Sequence, residues 1–242
     1  MSDELKTKKN HKKFLNKIYH TLFKTFGPQH WWPGKTPFEI AVGAILTQNT
    51  NWGNVEKAIN NLKRQKALNA KTLQKMAGEK LALLIKPAGY YNIKTRRLKE
   101  FLNFLVNHYK GSMEKMKSED TQLLRKKLLS INGIGPETAD SILLYALGKP
   151  VFVIDAYTKR VLVRHKFIPE DAPYHELQEI FHKNLPQDTA SESSRTDLFN
   201  EYHALFVKLG KDFCKTKPKC ESCPLKSAEF TPFRDKSLTG FT

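Results

Sequence analysis

The sequence predicts an all-α fold in two lobes, and three observations carry that prediction. From Phe14 onward the apolar residues recur every three or four positions, which is the spacing of one face of an α-helix. Proline and glycine interrupt this pattern and divide the chain into about ten helical segments. The clear strand-like run, residues 151–154, is short and has no second run with which it could form a sheet.

Composition indicates the class of partner. The 242 residues carry 41 Lys and Arg against 24 Asp and Glu, a formal net charge of +17, which favours nucleic acid, with an anionic membrane surface second. No apolar run approaches the roughly 20 residues that span a bilayer, and the N-terminus lacks the apolar segment of a secretory signal. We therefore expect no membrane association. The expected location is the cytoplasm, on the nucleoid DNA, or the nucleus of a eukaryotic cell.

The first 13 residues are rich in lysine and predict a flexible basic arm, because like charges repel one another and extend a chain. Helical spacing begins with Phe14, Ile18 and Leu22 and continues through the rest of the chain. The hydrophobic fraction of 40% is enough for two lobes with real cores.

Two glycines that flank one apolar residue stand directly before a helix-starting proline: Gly133, Ile134, Gly135 and Pro136. We expect both glycines to take backbone angles closed to other residues and to let main-chain N–H groups approach a ligand. The helix that begins at Pro136 directs its positive end to the same place. These features predict a phosphate-binding hairpin, which positions DNA without reading its sequence.

A single acid, Asp155, opens a helical segment after the run 151–154. Aspartate is a preferred N-cap, and that structural role alone explains the residue. A carboxylate beside a sugar can also stabilise the positive charge that develops when a glycosidic bond breaks, or can orient a water. The two roles are compatible.

The hairpin, its surrounding residues and the acid beyond it resemble the helix-hairpin-helix DNA glycosylases of the endonuclease III superfamily. The resemblance extends from about residue 14 to 223 and implies a two-lobed helical fold that binds damaged double-stranded DNA in a cleft, as a monomer, in base excision repair. It implies that Asp155 is the catalytic carboxylate. It also implies that the hairpin contacts DNA through Gly133, Ile134, Gly135 and Thr138.

Glu137 indicates the subtype. Superfamily members that also nick the backbone carry a lysine two residues beyond the second glycine, and its amine forms a Schiff base with the sugar. Glutamate cannot do this, so the resemblance implies a glycosylase that uses water and has no lyase activity through residue 137. An acid in the first turn of a helix is also favourable to the helix dipole, and another lysine remains a possible source of lyase activity.

Within the superfamily, the Trp-Trp-Pro element, residues 46–50, residues 87–92 and Glu137 resemble the 3-methyladenine DNA glycosylases. By that resemblance Gln48 fills the gap left by the flipped nucleotide. Tyr90 is the wedge between bases, although family members have leucine there. An alkylated purine is cationic and attracts indole faces. The base pocket is then lined by Trp31, Trp32, Pro33, Trp52 and Lys211.

Other functions stay open from the residues alone. Core packing explains some tryptophans equally well, and Lys211 is one of many surface cations. The first alternative function is an endonuclease III-like glycosylase for oxidised or mismatched bases. The second is a DNA-binding module without catalysis.

The three cysteines, Cys214, Cys220 and Cys223, resemble the iron–sulfur loop of the superfamily, from which the fourth cysteine is missing. Three alternatives follow: a 4Fe–4S cluster with a non-cysteine fourth ligand, for which Glu229 is a poor candidate, a zinc site, or a loop of free thiols. By the resemblance, residues 30–149 form one lobe with the base pocket and hairpin. The second lobe comprises residues 14–29 and 150–242.

Overall fold

The computed structural model describes residues 3–31, 34–185, 192–227 and 230, with the side chains of residues 3–10 and 192–193 outside that description. These residues form α-helices joined by turns, and no strand occurs among them. The prediction of an all-α fold is confirmed for these residues. The strand-like run, residues 151–154, is a buried irregular segment, which explains its apolar composition without a sheet.

The chain divides into two compact units. Unit 1 combines Met1–Trp31 with Phe152–Thr242, and unit 2 is the continuous segment Trp32–Val151. Unit 1 is thus built from both ends of the chain.

Unit 2 is a set of short helices around one long one. The helices are α2 (Pro37–Leu46), α3 (Trp52–Arg64), α4 (Ala70–Lys75), α5 (Gly78–Ile85), a 3₁₀ turn (Lys86–Ala88), α6 (Tyr91–Tyr109), α7 (Met113–Lys117), α8 (Thr121–Leu129) and α9 (Pro136–Ser141), which continues as a π-helical turn (Ile142–Ala146). Several of these helices begin after a side chain that accepts a hydrogen bond from a first-turn N–H group. Those capping residues are Thr36, Asn51, Asn69, Ser112 and Asp120.

Helix α6 forms the centre of unit 2 and packs against α2, α4 and α5. Its apolar stripe follows the helical period and is fully buried at Leu98, Phe101, Leu102 and Leu105. The π-helical turn packs on α2, and α8 packs on α9. These contacts hold the hairpin between α8 and α9 against the core of unit 2.

Unit 1 comprises α1 (Asp3–Phe26), α10 (Ala156–Arg164), α11 (Tyr174–Asn184), α12 (Glu192–Asp212) and a 3₁₀ turn (Cys220–Ser222). Helix α12 packs against α1 and α10. The core is aromatic: Phe152 stacks on Phe181 with ring centroids 3.9 Å apart, and Tyr202 stacks on Phe206 at 4.9 Å.

The basic N-terminal segment differs from its prediction. Residues 3–13 belong to α1 and do not form the flexible arm that their charge suggested. The buried side chains Phe14, Leu15, Ile18 and Leu22 anchor the helix, and the lysine-rich turns before them extend it, because lysine is a good helix former. None of the described helices is long and apolar enough to cross a membrane.

Candidate active site and DNA-binding hairpin

The hairpin turn requires glycine at position 133. Gly133 has φ +86°, in the left-handed region that side chains rarely adopt. A Cβ atom there would also lie 2.2 Å from Cγ of Arg97, so this side chain packs directly over the turn. The backbone angle and the close contact both exclude a larger residue.

The prediction that both glycines take backbone angles closed to other residues is wrong for Gly135. It is the N-cap of α9 with φ −88° and ψ 177°, angles that any residue adopts. A Cβ atom there would meet nothing within 4 Å. Gly135 is therefore not needed for the turn itself, and it leaves an exposed backbone that a ligand can approach closely. Ile134 is buried, so its side chain belongs to the turn's own packing.

Gln48 joins the end of α2 to the hairpin. Its Nε2 donates to the carbonyl oxygen of Gly133 at 3.0 Å and to the hydroxyl of Thr138 at 2.9 Å. Arg97 donates through Nη1 to the Oε1 of Gln48. Both ends of the amide are thus hydrogen-bonded, and Thr138 is buried within this network.

Tyr90 is an exposed aromatic residue on a strained backbone. It precedes α6 in the left-handed conformation, with φ 46° and ψ 32°, and 69% of its surface is exposed. A bulky residue with positive φ costs free energy, and an exposed ring recovers little of it from packing. Such a residue fits a part in binding better than one in the core.

Lys94, on the first turns of α6, connects the two loops that carry Gln48 and Tyr90. Its side chain is buried, and Nζ donates to the carbonyl oxygens of Leu46 at 2.8 Å and Ala88 at 2.7 Å. Burial, and next the positive charge of Arg97, lowers the pKa of Lys94 to about 8.

Asp155 caps α10 in unit 1. Its Oδ1 accepts the N–H of Thr158 at 2.7 Å, and its side chain is 12% exposed. Burial alone raises the pKa of this carboxyl group, but the nearby imidazole of His203 and the hydrogen bond from Thr158 outweigh burial. The pKa of Asp155 therefore lies below its ordinary value, and the group is ionised at neutral pH.

His203 connects Asp155 to Trp31. Its Nε2 lies 3.5 Å from Oδ2 of Asp155, and its ring centroid lies 5.8 Å from that of Trp31. His203 is 3% exposed. A carboxylate, an imidazole and an indole, from three separate segments of unit 1, thus form one cluster.

The remaining site residues predicted from the sequence lie in other parts of the protein. Trp52 starts α3 in unit 2, and its indole packs so closely on Gly43 that a Cβ atom there would lie 3.2 Å from Cη2. Lys211 is exposed in the last turn of α12, and Glu137 is exposed in the first turn of α9. Trp32 and Pro33 lie outside the described residues.

The cysteine loop holds three free thiols in different surroundings: Cys214 is buried, Cys223 is half-buried and Cys220 is exposed. Burial raises the pKa of Cys223, and the neighbouring Cys214 and Cys220 raise it further, against a hydrogen bond with the backbone of Leu225. Two arginines of α10 hold this loop: Arg160 donates to the carbonyl oxygen of Cys214 at 2.7 Å, and Arg164 donates to that of Thr216 at 3.0 Å.

The residues of this loop do not fit an iron–sulfur cluster, which is normally held by four thiolates. Within the described residues, no group of three or more Cys, His, Asp or Glu side chains is placed to hold a metal ion. Nη1 of Arg164 lies 3.3 Å from Sγ of Cys214, so a cation already contacts the buried thiol. Glu229 lies outside the described residues.

The sequence was compared with models of known protein families. Residues 42–187 match the model of the HhH-GPD superfamily base excision DNA repair proteins, a span that begins within α2 and includes the hairpin and Asp155. The chain belongs to this family. It is a DNA glycosylase of the HhH-GPD base excision repair family, and the prediction made from the hairpin and the acid beyond it is confirmed.

Relatives of this HhH-GPD glycosylase cover almost the whole chain. A protein of Methanocaldococcus jannaschii that carries the name of a DNA repair glycosylase is 50% identical over 220 residues, 90% of this chain and 97% of its own. Endonuclease III of Thermotoga maritima is 30% identical over 92% of this chain and 95% of its own.

One solved structure is similar in both fold and sequence. It is the 3-methyladenine DNA glycosylase of H. pylori bound to 1,N6-ethenoadenine, with a TM-score of 0.69 and 32% identity. The match covers 83% of this chain and 97% of that one.

Sequence reasoning missed three residues of these clusters: His203, Arg97 and Lys94. Two of them carried a signal. Lys94 lies four residues before Leu98 on the buried stripe of α6, and His203 lies four residues after Phe199 on the aromatic stripe of α12. A polar residue in a buried register needs a partner. Nothing in the local pattern pointed to Arg97.

Proposed function

We propose that this HhH-GPD glycosylase is monofunctional and releases alkylated purines of the 3-methyladenine type from duplex DNA. The observation that carries the proposal is the cluster of Asp155, His203 and Trp31, in which an ionised carboxylate and an indole share one imidazole neighbour. The similarity to the H. pylori 3-methyladenine DNA glycosylase supports the same substrate class.

The carboxylate supplies the electrostatic part of the reaction. When the N-glycosidic bond breaks, positive charge develops on the sugar, and an ionised acid beside C1′ stabilises it or orients the water that attacks it. The lowered pKa of Asp155 keeps this group charged at neutral pH. Partial burial strengthens the interaction, because the local dielectric is low.

The aromatic residues supply the recognition. A purine methylated at a ring nitrogen carries positive charge, leaves readily and attracts the face of an indole by about 0.5–2 kcal/mol. Trp31 is in the cluster with Asp155, and we assign it to stacking on the flipped base. By the resemblance, Trp52 is assigned to the same role. Trp32, Pro33 and Lys211 are assigned to the same pocket by the resemblance.

The proposed DNA contacts lie at the hairpin. Main-chain groups of residues 133–135, together with Thr138, are proposed to hold the phosphate backbone, since Gly135 is exposed and has open space on its Cα side. Gln48 is proposed to fill the space of the flipped nucleotide from its anchored position beside the hairpin. Tyr90, exposed and strained, is proposed to enter the base stack.

Glu137 underlies the monofunctional assignment. A lyase step through this position needs an amine, and a carboxylate cannot form a Schiff base. The endonuclease III relative favours a second candidate, a glycosylase for oxidised or mismatched bases. We further propose that the protein acts as a monomer on damaged double-stranded DNA, in the cytoplasm on the nucleoid or in a nucleus.

The experiment is base release from methylated duplex DNA, with products separated by chromatography and strands examined with and without alkali. We expect free 3-methyladenine, with strand breaks after alkali only. Breaks without alkali would show that another lysine provides a lyase step. Release from an oxidised or mismatched duplex alone would favour the second candidate. Binding without release of any base would favour a DNA-binding module.

Asp155→Asn tests the carboxylate itself. Asparagine is also a good N-cap, so α10 is retained while the negative charge is lost. We expect base release to fall about a hundredfold or more, with binding to a duplex that holds an abasic analogue unchanged. The matched control is Asp120→Asn, the same change at the N-cap of α8. Equal rates for the two variants would contradict the assignment.

A further inference from the structure

His203 is a polar side chain in an aromatic core. It lies on α12, is 3% exposed and contacts Phe152 edge to face with ring centroids 6.4 Å apart. The neighbouring Tyr202 and Phe206 stack on each other in the same core. A buried imidazole costs free energy unless a polar partner compensates for its lost water. Asp155 is the charged partner that the structure gives it.

The two oxygens of Asp155 are held by different groups. The backbone N–H of Thr158 binds Oδ1 at 2.7 Å, and Nε2 of His203 lies 3.5 Å from Oδ2. The first contact is the N-cap and fixes one oxygen to α10. The second contact comes from α12 and fixes the rotation of the carboxylate about its own axis. Together they determine which lone pairs remain for a reacting sugar.

The imidazole ring of His203 also contacts the indole of Trp31. The rings of Trp31 and His203 are tilted by 31° relative to each other, with their centroids 5.8 Å apart. Trp31 ends the N-terminal segment of unit 1, and His203 is the α12 residue that it contacts. Removing the imidazole would free both the carboxylate and the indole.

We propose that His203 is a positioning residue for base release, fixing the orientation of the Asp155 carboxylate and the place of the Trp31 indole at the same time. This inference rests on the role proposed above for Asp155. His203 itself need not touch the substrate. It acts through two neighbours, as the outer partners of reactive groups commonly do, and such partners are typically worth about 10–100-fold in activity.

The test compares His203→Leu with His203→Gln. Leucine keeps the volume but removes the nitrogen that lies 3.5 Å from Oδ2 of Asp155, whereas the glutamine amide nitrogen can take the place of Nε2. Under single-turnover conditions with saturating protein, we expect base release by His203→Leu to be about 10–100-fold slower, with unchanged affinity for a duplex holding an abasic analogue. We expect His203→Gln to recover most of that loss.

The matched control is His182→Leu. His182 belongs to the same aromatic core, where Nε2 accepts the N–H of Phe152 at 3.0 Å and the ring lies 5.2 Å from that of Phe199. We expect it to lower stability and to leave the single-turnover rate unchanged. If His203→Leu and His182→Leu slow base release equally, or if glutamine fails to recover the rate, the positioning role is wrong.

A second measurement separates this inference from the proposed function. The melting temperatures of wild type, His203→Leu, Asp155→Asn and the double variant form a cycle that needs no substrate. Non-additive changes support the Asp155–His203 contact even for a protein that releases no alkylated base, in which case the proposed substrate class alone fails. Additive changes overturn the positioning role, whatever the activity.

Discussion

The amide nitrogen of Gln48 donates to the carbonyl oxygen of Gly133 at 3.0 Å, across 85 residues of sequence. The residue assigned to the gap in the duplex is therefore hydrogen-bonded to the residue that turns the hairpin. Arg97 contacts both residues: it donates a hydrogen bond to the amide oxygen of Gln48, and its side chain packs over Gly133. The DNA binding proposed for the hairpin and the insertion proposed for Gln48 thus depend on one network.

Gln48→Ala and Thr138→Val separate those two uses of the network. Alanine removes the group that fills the gap, and we expect affinity for a duplex with an abasic analogue to fall about tenfold, the value of one hydrogen bond, with a smaller loss on undamaged duplex. Valine removes the Thr138 hydroxyl but keeps Gln48 and its bond to Gly133, so its effect should have the same direction and be smaller. Equal losses on both duplexes for Gln48→Ala would mean that Gln48 only braces the hairpin.

We expect Gly133→Ala to lower stability, whereas Gly135→Ala should lower the affinity for DNA and leave stability nearly unchanged. At position 133 the positive φ and the contact with Arg97 should lower the free energy of unfolding by about 1–3 kcal/mol. At position 135 nothing opposes a Cβ atom, so stability should stay within about 0.5 kcal/mol, while affinity for duplex DNA falls because the methyl group shields the backbone. Denaturant unfolding and binding at one fixed salt concentration measure both.

The lowered pKa of Lys94 predicts that the free energy of unfolding increases as the pH rises above about 8. Its pKa is about 8 in the folded protein against an ordinary value of 10.5, so the unfolded chain binds more protons between these values, and stability increases with pH across that window. The gain relative to Lys94→Met should be about 2 kcal/mol between pH 8 and pH 10. Lys80→Met, on the exposed side of α5, is the control for general alkaline effects. A constant difference between wild type and Lys94→Met over this range would refute the burial of a charged amine.

The cysteine loop is expected to keep its shape without metal. Arg160 and Arg164 bind its carbonyl oxygens, so Arg164→Ala should lower the melting temperature more than replacement of all three cysteines by serine. Elemental analysis of the purified protein should give iron and zinc well below one atom per molecule. Stoichiometric iron with visible absorbance, lost in the serine variant, would instead mean that a cluster with a non-cysteine ligand forms.

Several features could be predicted because they depend on residues close in sequence. The cap at Asp155 binds an N–H only three residues further on, and the turn at Gly133 follows from glycine before a helix-starting proline. The period of the apolar residues likewise predicts the helices directly. The structure of residues 3–13 depends on residues further along the chain. Their charges predicted a flexible arm, whereas the buried side chains that anchor α1 begin at Phe14.

The sequence by itself determined the helical class, the hairpin, the position of the acid and the absence of a lysine at position 137, since each is written in a short stretch of residues. Only the tertiary structure decided that His203 meets Asp155, that Arg97 covers Gly133 and that Lys94 ties Leu46 to Ala88. These contacts join helices far apart in the chain. Their formation depends on how apolar faces pack, and packing brings polar partners together that no local pattern encodes.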